Sequence, residues 1–288
     1  MAGLGRTPVD PRIDGVRVLI TNDDGIEAAG LQALRRALAE LENVELHVIA
    51  PDSNRSATAR SITTRSPLWV EEVSFEDGTT GFATDGTPVD CVRFADLGLL
   101  GERPELIVSG INHGSNLGDD ITYSGTVAAA FEGIVLGIPA IAVSQQADRG
   151  QMDFRAGRSW KAEDFEEAAS FVARVVEELE EVPMPESTLL NVNCPAGEIA
   201  GARACRLGKR IYRDRLELAE EEESGRRRYR IYGEDPGYHH EDGTDFAALA
   251  EGCVAVTPLH FDLTDAAGVK ELAGFDLDRL LAPAAREA

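Results

Sequence analysis

Apolar residues fall along the chain in two alternating rhythms, short β-branched runs and longer stretches at helical spacing. Val16-Arg17-Val18-Leu19-Ile20 reads as a buried strand, and Val44 to Ala50 as a second. Between them, Glu27 to Leu41 carries Leu31, Leu34, Ala37 and Leu38 on one helical face. Strand, helix, strand at this spacing is a βαβ unit, which implies a parallel sheet with right-handed crossovers. The rhythm continues with a helix over Pro88–Leu100, Pro in its first turn, and a strand at Leu106-Ile107-Val108. An Ala-rich helix over Thr126–Leu136, a strand over Ile138–Val143, an amphipathic helix over Glu163–Glu180 and a strand over Leu189–Asn193 follow. The pattern predicts a doubly wound α/β core over residues 15–198, preceded by a loose polar tail over 1–14.

Beyond residue 198 the rhythm breaks. Residues 201–240 carry Arg and Glu runs around long polar strands such as Arg227–Tyr232, which predicts a β-hairpin arm that is either solvated or an oligomer contact. Val254–Thr257 is an apolar strand suited to returning to the main sheet, and a terminal helix closes residues 199–288.

Charge changes the picture more than composition does. There are 51 Asp and Glu against 28 Lys and Arg, a net charge of −23, and Lys161, Lys209 and Lys270 are the only lysines. Such a field repels nucleic-acid backbones and anionic membranes, so neither is an expected partner. It also repels small phosphates unless a metal or a backbone nest inverts it locally. A surface of this kind suits high salt, where screening weakens self-repulsion, and a salt-loving host is expected. Cys91, Cys194, Cys205 and Cys253 form no CxxC pair, which argues against a zinc site. Without an apolar leader or spanning stretch, the chain reads as soluble and cytoplasmic, with reduced thiols.

The candidate chemistry lies in loops after the strands, where open α/β sheets bind ligands. Strand one ends in Thr21-Asn22-Asp23-Asp24-Gly25, strand two in Pro51-Asp52-Ser53-Asn54-Arg55-Ser56, and a later strand in the run Ser109 to Gly118. Adjacent carboxylates at Asp23 and Asp24 repel one another, and a hard cation relieves that; an N-cap role for Asp24 explains the residue equally well. Ser56 and Asn112 offer further oxygens. The turn Ser124-Gly125-Thr126, ahead of the Ala-rich helix, offers hydroxyls and N–H groups to an anion, or simply caps the helix. No P-loop, GxGxxG or GxSxG motif appears, which argues against P-loop, dinucleotide and serine-hydrolase chemistry.

Taken together, these segments resemble the SurE family of survival-protein nucleotidases. The resemblance rests on LITNDDGIEAAGLQAL (19–34), APDSNRSATARSIT (50–63), GTPVDCV (86–92), VSGINHGSNLGDDITYSGTVAAAFEGIVLGIPAIAVS (108–144), NVNCP (191–195) and GTDFAAL (243–249). It implies a Rossmann-like three-layer α/β core with a mainly parallel sheet, and a metal-dependent phosphatase acting on 5′- and 3′-nucleoside monophosphates, and on short polyphosphate, that assembles as a dimer or tetramer through its C-terminal β-hairpin extension. One divalent ion per subunit, Mg2+ or Mn2+, is implied at Asp23, Asp24, Ser56 and Asn112. Phosphate contacts are implied at Asn116, Ser124, Gly125 and Thr126. His113 carries no implied catalytic role. Asp23 and Asp24 are the expected catalytic pair, and attack by an activated water is favoured over an aspartyl-phosphate, since ligation lowers a carboxylate's nucleophilicity. A nucleotide-binding sensor and a phosphatase of another small ester are the alternatives. Trp69 and Tyr123 are the aromatic candidates for stacking on a base.

Overall fold

The computed structural model of the protein describes residues 15–152, 159–231 and 236–281; the expected tail at 1–14 and the end of the expected strand at Tyr232 lie outside them. In chain order the core runs β1 (Val16–Thr21), α1 (Ala29–Ala39), β2 (Val44–Pro51), β3 (Val70–Ser74), β4 (Thr80–Thr84), α2 (Pro88–Asp96) and β5 (Leu106–His113). It continues with α3 (Gly125–Val135), β6 (Ala140–Gln145), α4 (Glu166–Glu177) and β7 (Thr188–Cys194). The later elements are β8 (Gly201–Ala204), β9 (Arg210–Ile211), β10 (Glu217–Glu221), β11 (Arg227–Arg230), β12 (Gly237–Tyr238), α5 (Asp245–Ala250), β13 (Cys253–His260) and α6 (Ala266–Ala273).

Nine strands form one sheet in the order β3-β4-β2-β1-β5-β6-β7-β13-β8. The run from β4 to β7 is parallel throughout, while β3 and β13 pair antiparallel with β4 and β7. Alternate side chains of a strand face opposite layers. Val18 and Ile20 of β1 therefore meet Leu31, Leu34 and Leu38 of α1 and Val172 and Val176 of α4. Leu19 between them meets Cys91 and Val92 of α2 and Val127 and Ile134 of α3. The result is a three-layer α/β fold whose parallel strands are buried on both faces, which explains their continuous apolar runs.

Helix ends are set by local chemistry. Thr87 and Asp90 form a reciprocal capping box around Pro88, which starts α2. The helix stops at Asp96, short of the expected Leu100, since Gly98 and Gly101 at positive φ (94° and 89°) leave the helical region. Helix α1 likewise spans less than the expected Glu27–Leu41. The hairpin of β3 and β4 carries no apolar run: β3 reads VEEVS, with both Glu residues exposed at the sheet edge.

Topology fixes where a ligand binds. From β1 the chain moves outward to β2 in one direction, and to β5 on the other side. The crevice between the carboxyl ends of β1 and β5 is therefore the switch point of the sheet. The late segment builds a hairpin of β10 and β11, a short ribbon of β12 and β9, and the strand β13 inserted between β7 and β8. Among the described residues no helix is long and apolar enough to cross a membrane.

Candidate active site

The turn after β1 is closed from both sides by Asn22, whose amide donates to the Gly25 carbonyl (2.9 Å) and accepts the Gly25 N–H (3.2 Å). That closure places Asp23 in the lining of the switch-point pocket, while Asp24 beside it lies outside that lining. Both carboxylates are held by donors. The Thr126 hydroxyl and the Gly125 N–H reach Asp23. The His113 N–H (2.9 Å) and the Asn54 amide (3.1 Å) reach Asp24. Gly125 is required by this approach, because a Cβ there would lie 2.8 Å from the Asp23 Cβ.

Asn112 reaches the crevice through an irregularity in β5. Ser109 faces Ala142 of β6, yet Asn112 faces Ser144, so one extra residue bulges out. Gly110 sits in this bulge at φ +144°, where a Cβ would come within 2.4 Å of the Val143 carbonyl oxygen. The Asn112 amide nitrogen donates to the Gly114 carbonyl (2.7 Å), leaving its oxygen as the available ligand atom. Ser56 enters from the loop after β2, whose Arg55 N–H donates to the Asp23 carbonyl (2.6 Å). Ala57 and Ala59 hold φ values of 59° and 51°, costly for residues with a Cβ, and the Ala59 N–H donates to the Tyr123 carbonyl (3.2 Å). The strained loop thus folds back over the pocket. Its far end is tied by Arg60 to the buried Glu132 of α3.

Asp23, Ser56, Asn112, Asn116 and Ser124 line one pocket, together with Ala57, His113, Asp120 and Tyr123. Ser124 is the N-cap of α3 and accepts the Val127 N–H (3.1 Å), which frees its own proton to point outward. Asn116 donates from its amide to Ser144 (2.8 Å), and its backbone is clamped by Asn193 and Asn191 of β7. Thr126 is wholly buried and its hydroxyl is committed to Asp23, so it positions the carboxylate from behind. Trp69 is 82% exposed and lies outside the pocket lining; Tyr123 is within it.

Electrostatically, the pair is unbalanced. Burial pushes the Asp23 carboxyl above its usual range, the Asp24 charge pushes it further, and burial raises Asp24 as well. Among the described residues no Lys or Arg pairs with either; the His113 Nδ1 stands 3.8 Å from Asp24, its ring stacked on Trp160. Nor do the described residues contain a cluster of three or more His, Cys, Asp or Glu placed around a metal. The available set is two carboxylates plus the neutral oxygens of Ser56 and Asn112.

Three contributors carried no signal of their own in the sequence. Asp120 stands within a stretch of the family pattern, yet nothing in its neighbours distinguishes it from the exposed Asp119. Arg210 and Tyr212 hold Asp120 from a segment without periodicity, and only the folded chain brings them there.

Fold and crevice define a doubly wound α/β protein with an acidic site at its topological switch point, facing a helix N-terminus. The family model described as survival protein SurE matches residues 18–214, and the chain belongs to that family. It is 50% identical over 276 residues to the 5′-nucleotidase SurE of Rubrobacter xylanophilus, covering 92% of this chain and 99% of that protein. To the 5′-nucleotidase SurE of Chloroflexus aggregans it is 45% identical over 259 residues, covering 88% and 97%. The crystal structure of the SurE protein from Aquifex aeolicus superposes with a TM-score of 0.71 at 39% identity, covering 89% of this chain and 99% of that one.

Proposed function

We propose that this protein is a phosphoric monoester hydrolase that cleaves nucleoside 5′-monophosphates, and 3′-monophosphates and short polyphosphate besides, with a divalent metal held at Asp23, Asp24, Ser56 and Asn112. The observation that carries the proposal is the like-charged pair Asp23–Asp24, both side chains shielded from water, with Asp23 lining the same pocket as the Ser124 cap of α3. Kinship with proteins named 5′-nucleotidase supports the substrate class.

The donor set fits a hard cation. All four groups present oxygen, as Mg2+ and Mn2+ prefer, and the four cysteines are buried. When bound, such an ion neutralises phosphoryl charge and makes water a better nucleophile. The chain's own residues do the rest. Ser124 donates its free O–H to a phosphoryl oxygen, the positive end of α3 favours the anion, and the Asn116 amide offers a second donor. Asp23, lining the pocket, takes the proton of the attacking water as its oxygen bonds to phosphorus. The ester P–O bond breaks opposite, and the leaving nucleoside oxygen is protonated from solvent. Thr126 and Gly125 keep the Asp23 carboxylate aligned for that transfer.

Assembly as a dimer or tetramer is part of the proposal. The β10–β11 hairpin exposes Leu218 and Tyr229, flanked by the exposed Leu216 and Ile231, surface that a second copy would cover. We place the protein in a reducing cytoplasm, consistent with four free thiols.

The test is phosphate release from AMP, GMP, 3′-AMP and polyphosphate with Mg2+, with Mn2+ and with EDTA. Metal-dependent release that disappears in Asp23→Asn is expected. A folded protein that binds AMP and releases no phosphate under any metal would be a sensor instead.

A further inference from the structure

One side of the pocket is formed by Asp120, and the C-terminal extension braces it from behind. The 3-10 turn Gly118–Thr122, between Asn116 and Ser124, is fastened to Arg210, Tyr212 and Asp245 by polar bonds. The Asp245 carboxylate accepts the N–H groups of Gly118 (2.7 Å) and Gly208 (2.8 Å) together. The Arg210 N–H donates to Asp119 (3.0 Å), and its fully buried guanidinium pairs with the Asp120 carboxylate while lying 4.7 Å over the Phe246 ring. The Tyr212 hydroxyl donates to the other Asp120 oxygen (3.0 Å).

This arrangement has two consequences. Arg210 cancels the charge of Asp120, so that the wall does not repel a phosphorylated ligand. Asp120 also anchors the phenol of Tyr212, a residue 44% exposed, beside the pocket that Asp120 lines. Burial and the Asp120 charge push that phenol further up, keeping it a proton donor. Tyr123, 52% exposed, lines the same pocket one residue before the Ser124 cap. The half-exposed Tyr123 thus lines the pocket beside Ser124, and the half-exposed Tyr212 is tied by its hydroxyl to Asp120 of the same lining.

We propose that Tyr123 and Tyr212 form the nucleobase subsite, the base stacking on their rings while Ser124 and Asn116 hold the phosphate; the proposal rests on the phosphomonoesterase reading above. Ring stacking recognises a planar heteroaromatic without reading its edge, so the subsite accepts every base and favours the larger purines modestly. The extension is thereby a specificity element of the site.

The test is the ratio of kcat/KM for AMP to that for ribose 5-phosphate, which lacks the base. A wild-type ratio of about tenfold or more is expected from one base–aromatic contact. Tyr212→Ala lowers the ratio toward unity, and Tyr212→Phe, which keeps the ring and loses the anchor, falls between. Tyr123→Leu lowers the same ratio through an independent position. A wild-type ratio near unity, equal losses on both substrates in folded variants, or an undiminished ratio overturns the subsite. If the wild type releases phosphate from neither compound, the phosphomonoesterase reading fails instead.

Discussion

Asp23 and Asp120 line the same pocket, and the fold treats these two buried carboxylates oppositely. Asp120 receives a protein cation, Arg210, sealed with it away from water. Asp23 and Asp24 receive hydroxyl, amide and backbone donors but no Lys or Arg among the described residues. Burying charge without a partner is expensive, and chains normally supply one. Asp120 is thus neutralised within the fold, whereas the Asp23–Asp24 pair has no such partner among the described residues, and the proposed metal would supply one. Their raised affinity for protons is the signature of that deficit.

The contrast breaks most sharply under substitution. Asp23→Asn should lower phosphate release by about a thousandfold or more, a loss on the scale of a transition-state group. The same change should leave the metal-free protein as stable as before or more so, since it removes a buried like charge; urea unfolding reads this directly. Asp120→Asn should behave in reverse, leaving Arg210 buried and unpaired at a cost of about 3–5 kcal/mol. Equal stability effects at the two positions would erase the distinction.

Acidity sharpens the contrast further. A carboxylate whose folded-state pKa is raised binds more protons when folded than unfolded. Its contribution to stability is therefore greatest at low pH and is lost as pH rises from about 4 through the raised folded-state values. Metal-free protein should lose stability across that window. Adding Mn2+ should raise the melting temperature more at pH 7 than at pH 5, because protons and metal compete for the same oxygens. A metal shift independent of pH would place the ion elsewhere.

Smaller effects follow. Thr126→Val withdraws a buried donor from Asp23 and should cost about 1–3 kcal/mol of stability when that carboxylate is ionised, with activity falling alongside. Molar salt should raise the melting temperature modestly, since screening relieves the self-repulsion of a chain at −23. Equal stability in dilute buffer and in molar salt would remove the case for a salt-loving host.

Much of this was legible in the chain because the core obeys simple periodicities. Runs such as Val16–Ile20 and Leu189–Asn193 are apolar because both faces of a parallel strand are covered, and strands form there. The loops at Asp23–Asp24, Ser56, Asn112 and Ser124 were legible as polar segments at strand ends, and the fold gathers them around one pocket. What stayed hidden depends on long-range contact. The edge strand Val70–Ser74 has a polar face and little pattern. The bulge at Gly110–Ile111 shifts Asn112 in a way spacing does not reveal. Arg210 and Tyr212 lie in a two-residue strand and its flank, about 90 residues beyond Asp120, and their role exists only once the extension packs against the turn.

The most direct test of the central claim is calorimetric titration of Mn2+ into the wild-type protein and into Asp23→Asn at pH 7. One ion is expected to bind per wild-type chain, with binding lost or greatly weakened in the variant while its fold persists. Undiminished binding by Asp23→Asn, or no binding by a folded wild type, would contradict it.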